Sequence, residues 1–187
     1  MEQKDVLQAM RRDHAAELKM AAERLEGTAK HTQIIASPVL SEMTGHTILL
    51  KPENLQVTGS FKIRGAYNKI ASLTDEELER GIVTASAGNH AQGVAYAARE
   101  RHAKATICMP QITPPLKVDA TKAYGADVVL YGDVFDEAAA HAAELASTQG
   151  MIYVPPFDDY EVICGQGTIG LEILDQLPDV DAVIVPI

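Results

Sequence analysis

The hydrophobic positions of this chain change their period along its length. Over residues 5–26, Leu7, Met10, Leu18, Ala21 and Leu25 recur at helical spacing and Gly27 follows as a C-cap, which predicts an amphipathic helix. Residues 28–46, broken by Pro38 and Gly45, read as connection. From there short β-branched runs alternate with helical stretches. "TILL" (47–50) predicts a buried strand, followed by strands at "IVTAS" (82–86), "ATICM" (105–109), "DVVLY" (127–131), "MIYV" (151–154) and "DAVIVPI" (181–187). Helices are predicted over 60–72, 89–101, 115–124, 135–148 and 160–176. Strands that alternate with helices in this way make βα units on a parallel sheet with both faces covered, an α/β fold.

No repeat of fixed period and no low-complexity linker interrupts the pattern. "VPPFDD" (154–159) is the strongest break and a candidate domain junction. "DAVIVPI" is apolar enough for an interior strand, and an interior parallel strand normally runs on into a loop and a covering helix. The fold is therefore expected to continue past Ile187.

Composition narrows the classes of partner. The 187 residues are 47% hydrophobic and 22% charged, which suits one globular domain. A formal net charge of -10 without a clustered basic stripe speaks against nucleic acid. No apolar run is long enough to span a bilayer. The opening MEQKD has neither a basic n-region nor an apolar core, so no secretion signal is read. Cys108 and Cys164 stand alone, expected as small core residues, and two isolated thiols suit the cytoplasm.

Three stretches have the residue types for chemistry. In "TASAGNHAQG" (84–93) a strand runs through Ser86, Ala87, Gly88, Asn89 and His90 straight into a helix. The carboxyl end of a parallel strand is where ligands sit, and the helix start offers free N–H groups to an anion. The same Ser and Asn would also serve as ordinary N-caps. A lone His in a first helical turn has a structural reading beside the catalytic one. The remaining histidines (14, 31, 46, 102 and 141) are scattered, and no metal site is predicted.

"GQGTIG" (165–170) matches G-x-G-x-x-G, yet "VIC" before it is a poor strand. A glycine-rich helix N-terminus packed close to another element is the stronger reading, with a nicotinamide dehydrogenase as the alternative. In "TGSFKIRGA" (58–66), Lys62 lies in a first helical turn, where a cation is mildly unfavourable. It reads either as a solvated lysine or as one held in place for chemistry. Phe61 offers a flat apolar face to an aromatic ring, and Arg64 reads as surface or salt-bridged.

Together, "KPENLQVTGSFKIRGA" (51–66) and "SAGNHAQGVA" (86–95) resemble the threonine dehydratase and serine racemase branch of the fold-type II pyridoxal-phosphate enzymes. The resemblance runs from about residue 30 to the end and takes in "MPQITPPLKVDATKAYGADVVLYG" (109–132) and "ICGQGTIGLEIL" (163–174). "HTQI" at 31–34 departs from the family's Thr-Pro-Leu turn. The resemblance implies a complete small domain and part of a large one. Residues 1–50 would open the large domain, 51–155 would form the small substrate-side domain, and 156–187 would return to the large domain.

It further implies that Lys62 carries pyridoxal 5'-phosphate as a Schiff base, that Phe61 packs on the ring, and that Asn89 bonds its phenolic oxygen. Ser86, Ala87, Gly88, Asn89 and His90 would grip the carboxylate of a small amino-acid substrate. The implied reaction is dehydration and deamination of L-threonine or L-serine to a 2-oxo acid and ammonia, in isoleucine biosynthesis or threonine catabolism, by a homo-oligomer. A glycine-rich phosphate loop is expected beyond Ile187, and the 187 residues alone are expected to be inactive. Serine racemases of this branch have a second serine at the position of Ala87, which favours dehydration here. A racemase-like enzyme and a non-catalytic fragment remain the alternatives.

Overall fold

The computed structural model describes residues 13–186. Helix α1 spans His14–Leu25, with the Asp13 carboxylate accepting from the Ala16 N–H at 3.1 Å, and it buries Ala21 and Leu25. The expected start of this helix, with Leu7 and Met10, lies outside the described residues. A two-residue strand β1 (Ile35–Ala36) follows, then α2 (Pro38–Thr44), β2 (Leu49–Leu50) and a 3-10 turn at Glu53–Leu55. The 28–46 stretch is thus not all connection: Ser37 caps α2 at its start, Pro38 occupies the first turn, and Gly45 closes it at φ 70°.

"TILL" proves different from its expectation. Only Leu49 and Leu50 form a strand; they pair antiparallel with Ala36 and Ile35, and their side chains are exposed. "DAVIVPI" is not a strand either. Residues 181–186 are irregular and exposed, with Ile184 at 92%. Apolar β-branched sequence favours a strand only where another strand supplies a ladder, and among the described residues none lies beside it.

The central α/β pattern forms as expected. After α3 (Lys62–Ala71) comes a short α4 (Asp75–Glu79), then β3 (Ile82–Ala85), α5 (Asn89–Glu100), β4 (Ala105–Met109) and α6 (Pro115–Lys122). The chain continues through β5 (Asp127–Leu130), α7 (Phe135–Gln149), β6 (Ile152–Tyr153) and α8 (Tyr160–Gln176). Helix α4 is too short to show a period. Its sign in the sequence is the capping box in which Thr74 and Glu77 satisfy each other's backbone N–H.

The four strands β3 to β6 form one parallel sheet in the order β5-β4-β3-β6. Alternate side chains divide between two cores. Ile82, Ile107 and Met109 pack with Val94, Ala95 and Ala98 of α5 and with Ala66 and Ile70 of α3. Val83, Ala85 and Cys108 pack on the other face against Ala138 and Ala142 of α7. Both cysteines are buried, as expected, and burial pushes the Cys108 thiol up to about 11, which keeps it protonated and inert.

Helix α8 crosses α3 with almost no side chain between them. A Cβ on Gly165 would lie 2.5 Å from the Arg64 carbonyl oxygen and 2.6 Å from Gly65 Cα, and a Cβ on Gly65 would lie 2.7 Å from the Val162 carbonyl oxygen. A Cβ on Gly167 would meet only the Leu18 side chain of α1, at 2.5 Å. "GQGTIG" is therefore the packing seam of a helix interior. Its N–H groups are spent within α8, and the helix N-terminus lies earlier, where Asp159 caps it. The dinucleotide reading falls on this geometry.

The seam makes a paired prediction. Gly165→Ala forces two backbones apart and is expected to cost about 1–3 kcal/mol in denaturant unfolding, the usual range for overpacking. Gly170→Ala, in the same helix with open space around it, is expected to be neutral or to stabilise by about 0.5–1 kcal/mol through helix propensity. Equal destabilisation by both would disprove the seam.

Candidate functional site

The strand order places the site. From β3 the chain builds outward through β4 to β5, then returns to lay β6 on the other side of β3. The connections from β3 and β6 thus diverge, and the crevice beyond their carboxyl ends is the switch point where parallel sheets take ligands. Residues 86–90 leave β3 here, and Val154, Pro155 and Pro156 leave β6.

In the first segment, the Ser86 hydroxyl accepts from the Gly88 N–H at 3.2 Å, and the Ser86 N–H donates to the Cys108 carbonyl at 3.1 Å. Gly88 is the N-cap of α5 and no side chain caps the helix. The capping alternative is therefore not realised: Asn89 is the first helical residue and is exposed. The first-turn N–H groups of Asn89, His90 and Ala91 have no helical carbonyl to bond and stand at the positive end of the dipole.

His90 is the structural member of the group, at 3% exposure. Its Nε2 lies 3.1 Å from the Val154 carbonyl oxygen, which only accepts, so Nε2 carries the proton. Burial pushes its pKa down to about 4; the Val154 contact opposes this and the Lys62 charge adds to it. The ring is neutral at neutral pH.

Lys62 opens α3, and its carbonyl group rests against α5: a Cβ on Gly93 would come within 3.2 Å of that oxygen. Glycine at 93 leaves this approach unstrained, since a Cβ there would be tight against the Lys62 backbone. The Lys62 side chain reaches across the crevice, and its Nζ donates to the Pro156 carbonyl at 2.7 Å. The solvated reading does not hold, because Nζ is half-buried and desolvation lowers its pKa below the ordinary lysine value. Phe61 is 38% exposed, with its ring centroid 5.4 Å from Nζ. The crevice thus gathers an amine biased toward its neutral form, an exposed aromatic face and a row of unbonded N–H groups. That set can bind a carboxylate and move a proton.

Arg64, two residues on, is not a surface residue. At 1% exposure it donates to Glu53 at 2.7 and 2.9 Å, to Glu172 at 2.6 and 3.0 Å, to Thr168 at 3.2 Å and to the Lys30 carbonyl at 3.1 Å. Lys51 Nζ pairs with the same Glu172. Burial alone would raise the Glu172 carboxyl, but the hydrogen bonds from Arg64 and Lys51 more than offset it and hold it below the ordinary range. This cluster fastens α3, and with it Lys62, to α8 and to the segment before the sheet. Pattern reading missed Glu53, Glu172, Val154 and Pro156, since carboxylates far apart in sequence and a backbone carbonyl carry no local signal. An open depression of about 460 Å³ between Gln111, Tyr131 and His141 lies elsewhere and shares no residue with the crevice.

Comparison with known proteins identifies the family. The family model described as pyridoxal-phosphate dependent enzyme matches residues 25–187. An L-threonine ammonia-lyase of Thermotoga maritima is 54% identical over 171 residues, 91% of this chain and 43% of that protein. The solved structure of processed threonine deaminase isoform 2 from Solanum lycopersicum superposes with a TM-score of 0.84 at 43% identity, over 96% of this chain and 48% of that one. Maize serine racemase superposes with a TM-score of 0.85 at 34% identity, over 89% and 50%. The chain spans about half the length of the curated relatives it matches, 43% and 51% in two of them.

The Arg64 cluster has two measurable consequences. Arg64→Met leaves Glu53 without its cation and Glu172 with Lys51 alone, and is expected to cost about 3–5 kcal/mol in unfolding free energy. The depressed Glu172 carboxyl contributes stability that is complete above its ordinary value near 4.5 and lost as the pH falls through its lower folded value. In Glu172→Gln the fall in melting temperature below that pH should flatten relative to wild type. An unchanged acid limb would remove Glu172 from the account.

Proposed function

This chain belongs to the pyridoxal-phosphate dependent enzyme family, and from that footing we propose that the protein dehydrates and deaminates L-threonine, and L-serine, to a 2-oxo acid and ammonia. The observation that carries the reading is the Lys62 amine: half-buried, desolvated and placed across the switch-point crevice from the start of α5. A desolvated primary amine beside an exposed aromatic ring fits a cofactor that presents an aldehyde and a flat heterocycle. When bound, pyridoxal phosphate supplies an electron sink conjugated to the substrate nitrogen.

The tasks then divide among these residues. Lys62 would hold the cofactor through its Nζ. Nζ, whose pKa desolvation lowers, would be the group placed to accept the Cα proton. The first-turn N–H groups of α5, with Ser86, Gly88, Asn89 and His90 around them, hold the substrate carboxylate. Asn89 adds a side-chain donor for the cofactor, and Phe61 packs on its ring. The electron pair left by the proton forms the Cα=Cβ bond as the β-hydroxyl departs, and hydrolysis yields 2-oxobutanoate and ammonia from threonine. Ala87 has only a methyl group, so the turn offers no acid for the opposite face of Cα. That favours a lyase over the racemase chemistry named for the maize neighbour.

We extend the proposal to a cytoplasmic homo-oligomer whose substrate-side domain is residues 51–155. Its support is general: no helix of the described residues is long and apolar enough to cross a membrane, and Ile35, Val39 and Met43 form an exposed apolar set that favours a covering surface.

The full-length protein tests the assignment. Borohydride reduction should leave a pyridoxyl group on Lys62 in peptide mass spectra, and Lys62→Ala should lose 2-oxobutanoate production from L-threonine altogether. Turnover near wild type in the variant would sink the role of Lys62. Chiral chromatography of residual serine should find D-serine forming far more slowly than pyruvate, and comparable rates would refute the reading of Ala87.

A further inference from the structure

The exit from β6 is held unusually firmly. The Val154 N–H donates to Val83 at 2.9 Å, and its carbonyl accepts two bonds, from Thr84 Oγ1 at 2.6 Å and from His90 Nε2 at 3.1 Å. Both lone pairs of that oxygen are used, and Val154, Thr84 and His90 are all buried. Two prolines follow. Their rings fix φ and leave no N–H to bond elsewhere, so Pro155-Pro156 is a stiff spacer. At its far end the Pro156 carbonyl receives Lys62 Nζ at 2.7 Å.

We propose that Thr84 and His90 are positioning residues for the Lys62 amine: by pinning the Val154 carbonyl they set, through the rigid Pro155-Pro156 link, the carbonyl on which Nζ rests. The proposal rests on Lys62 being the reactive lysine and concerns side chains that need not touch substrate. His90 suits the task because a neutral ring donates through Nε2 without placing a second charge beside Lys62. Its price is a buried Nδ1 without a hydrogen-bond partner, which a purely structural histidine would gain nothing by accepting. Thr84 is the only hydroxyl residue in an otherwise apolar β3, and its hydroxyl is directed at the same oxygen.

The test uses the full-length protein freed of cofactor with hydroxylamine. Lys62 is acylated with limiting acetic anhydride over a rising pH series, and its limiting rate is read by peptide mass spectrometry against exposed Lys19 and Lys117. His90→Leu and Thr84→Val should raise the Lys62 rate about three- to tenfold, the equivalent of one net hydrogen bond released, with both control lysines unchanged. His90→Gln and Thr84→Ser, which keep a donor, should return it to the wild-type rate. Melting curves accompany every variant; should His90→Leu not fold, the near-isosteric Thr84→Val and its serine rescue decide the matter. Wild-type labelling in folded Thr84→Val, or no rescue by the donor-keeping variants, overturns the proposal. Failure of borohydride to fix pyridoxal phosphate on Lys62 would instead strike the proposed function, because the labelling comparison requires no cofactor.

Discussion

The guanidinium of Arg64 is the constraint on which the rest of this structure depends. Five N–H groups in a rigid plane meet two carboxylates, a hydroxyl and a backbone carbonyl, drawn from the 3-10 turn, from α8 and from residue 30. A lysine could not replace it, since a point charge cannot bind two carboxylates in forks. The ion pairs are buried, so their net contribution to stability is modest against an apolar alternative, while losing one partner is costly. What they secure is placement. Arg64 lies on α3 two residues after Lys62, so fixing the guanidinium fixes the direction in which the lysine leaves its helix.

Glycine completes what the charges begin. Ion pairs between α3 and α8 close at 2.6 to 3.0 Å only because Gly65 and Gly165 let the two backbones come together. Gly93 does the same between α5 and the Lys62 carbonyl. Two close approaches thus bracket the start of α3, one through α8 and one through α5. The start of α3 is thereby held while the Lys62 side chain extends from it into the crevice.

The electrostatics of the crevice are set by burial more than by neighbouring charge. Desolvation lowers Lys62 toward a neutral amine and His90 to about 4. No carboxylate is hydrogen-bonded to either group among the described residues; each bonds a backbone carbonyl. The N–H groups at the head of α5 add a positive potential suited to an anion. A desolvated amine and the start of a helix thus face one another across the crevice.

Much of this was legible in the amino-acid order. The α/β class, the parallel sheet and the bounds of α8 follow from local periods, and the stretches around Lys62 and Ser86 to His90, which the fold brings to one crevice, were singled out by helix-start chemistry and motif resemblance, each confined to a short window. Where a window contained the wrong context, expectation and structure part. "TILL" and "DAVIVPI" have strand composition, but a strand is a property of two segments and the ladder partner lies outside either window. "GQGTIG" has the spacing of a phosphate turn but sits inside a helix, where the same glycines serve backbone contact.

The sequence by itself determined which residues can do chemistry and which segments become helix or central strand, because side-chain type and local hydrogen bonding decide those. Only the tertiary structure decided that Arg64 is the buried lock, that His90 is neutral and turned to Val154, and that Pro156 holds the lysine. Those facts depend on groups 64 to 108 residues apart in the chain meeting within hydrogen-bond distance. Desolvation and hydrogen-bond geometry exist only once the chain has folded around them.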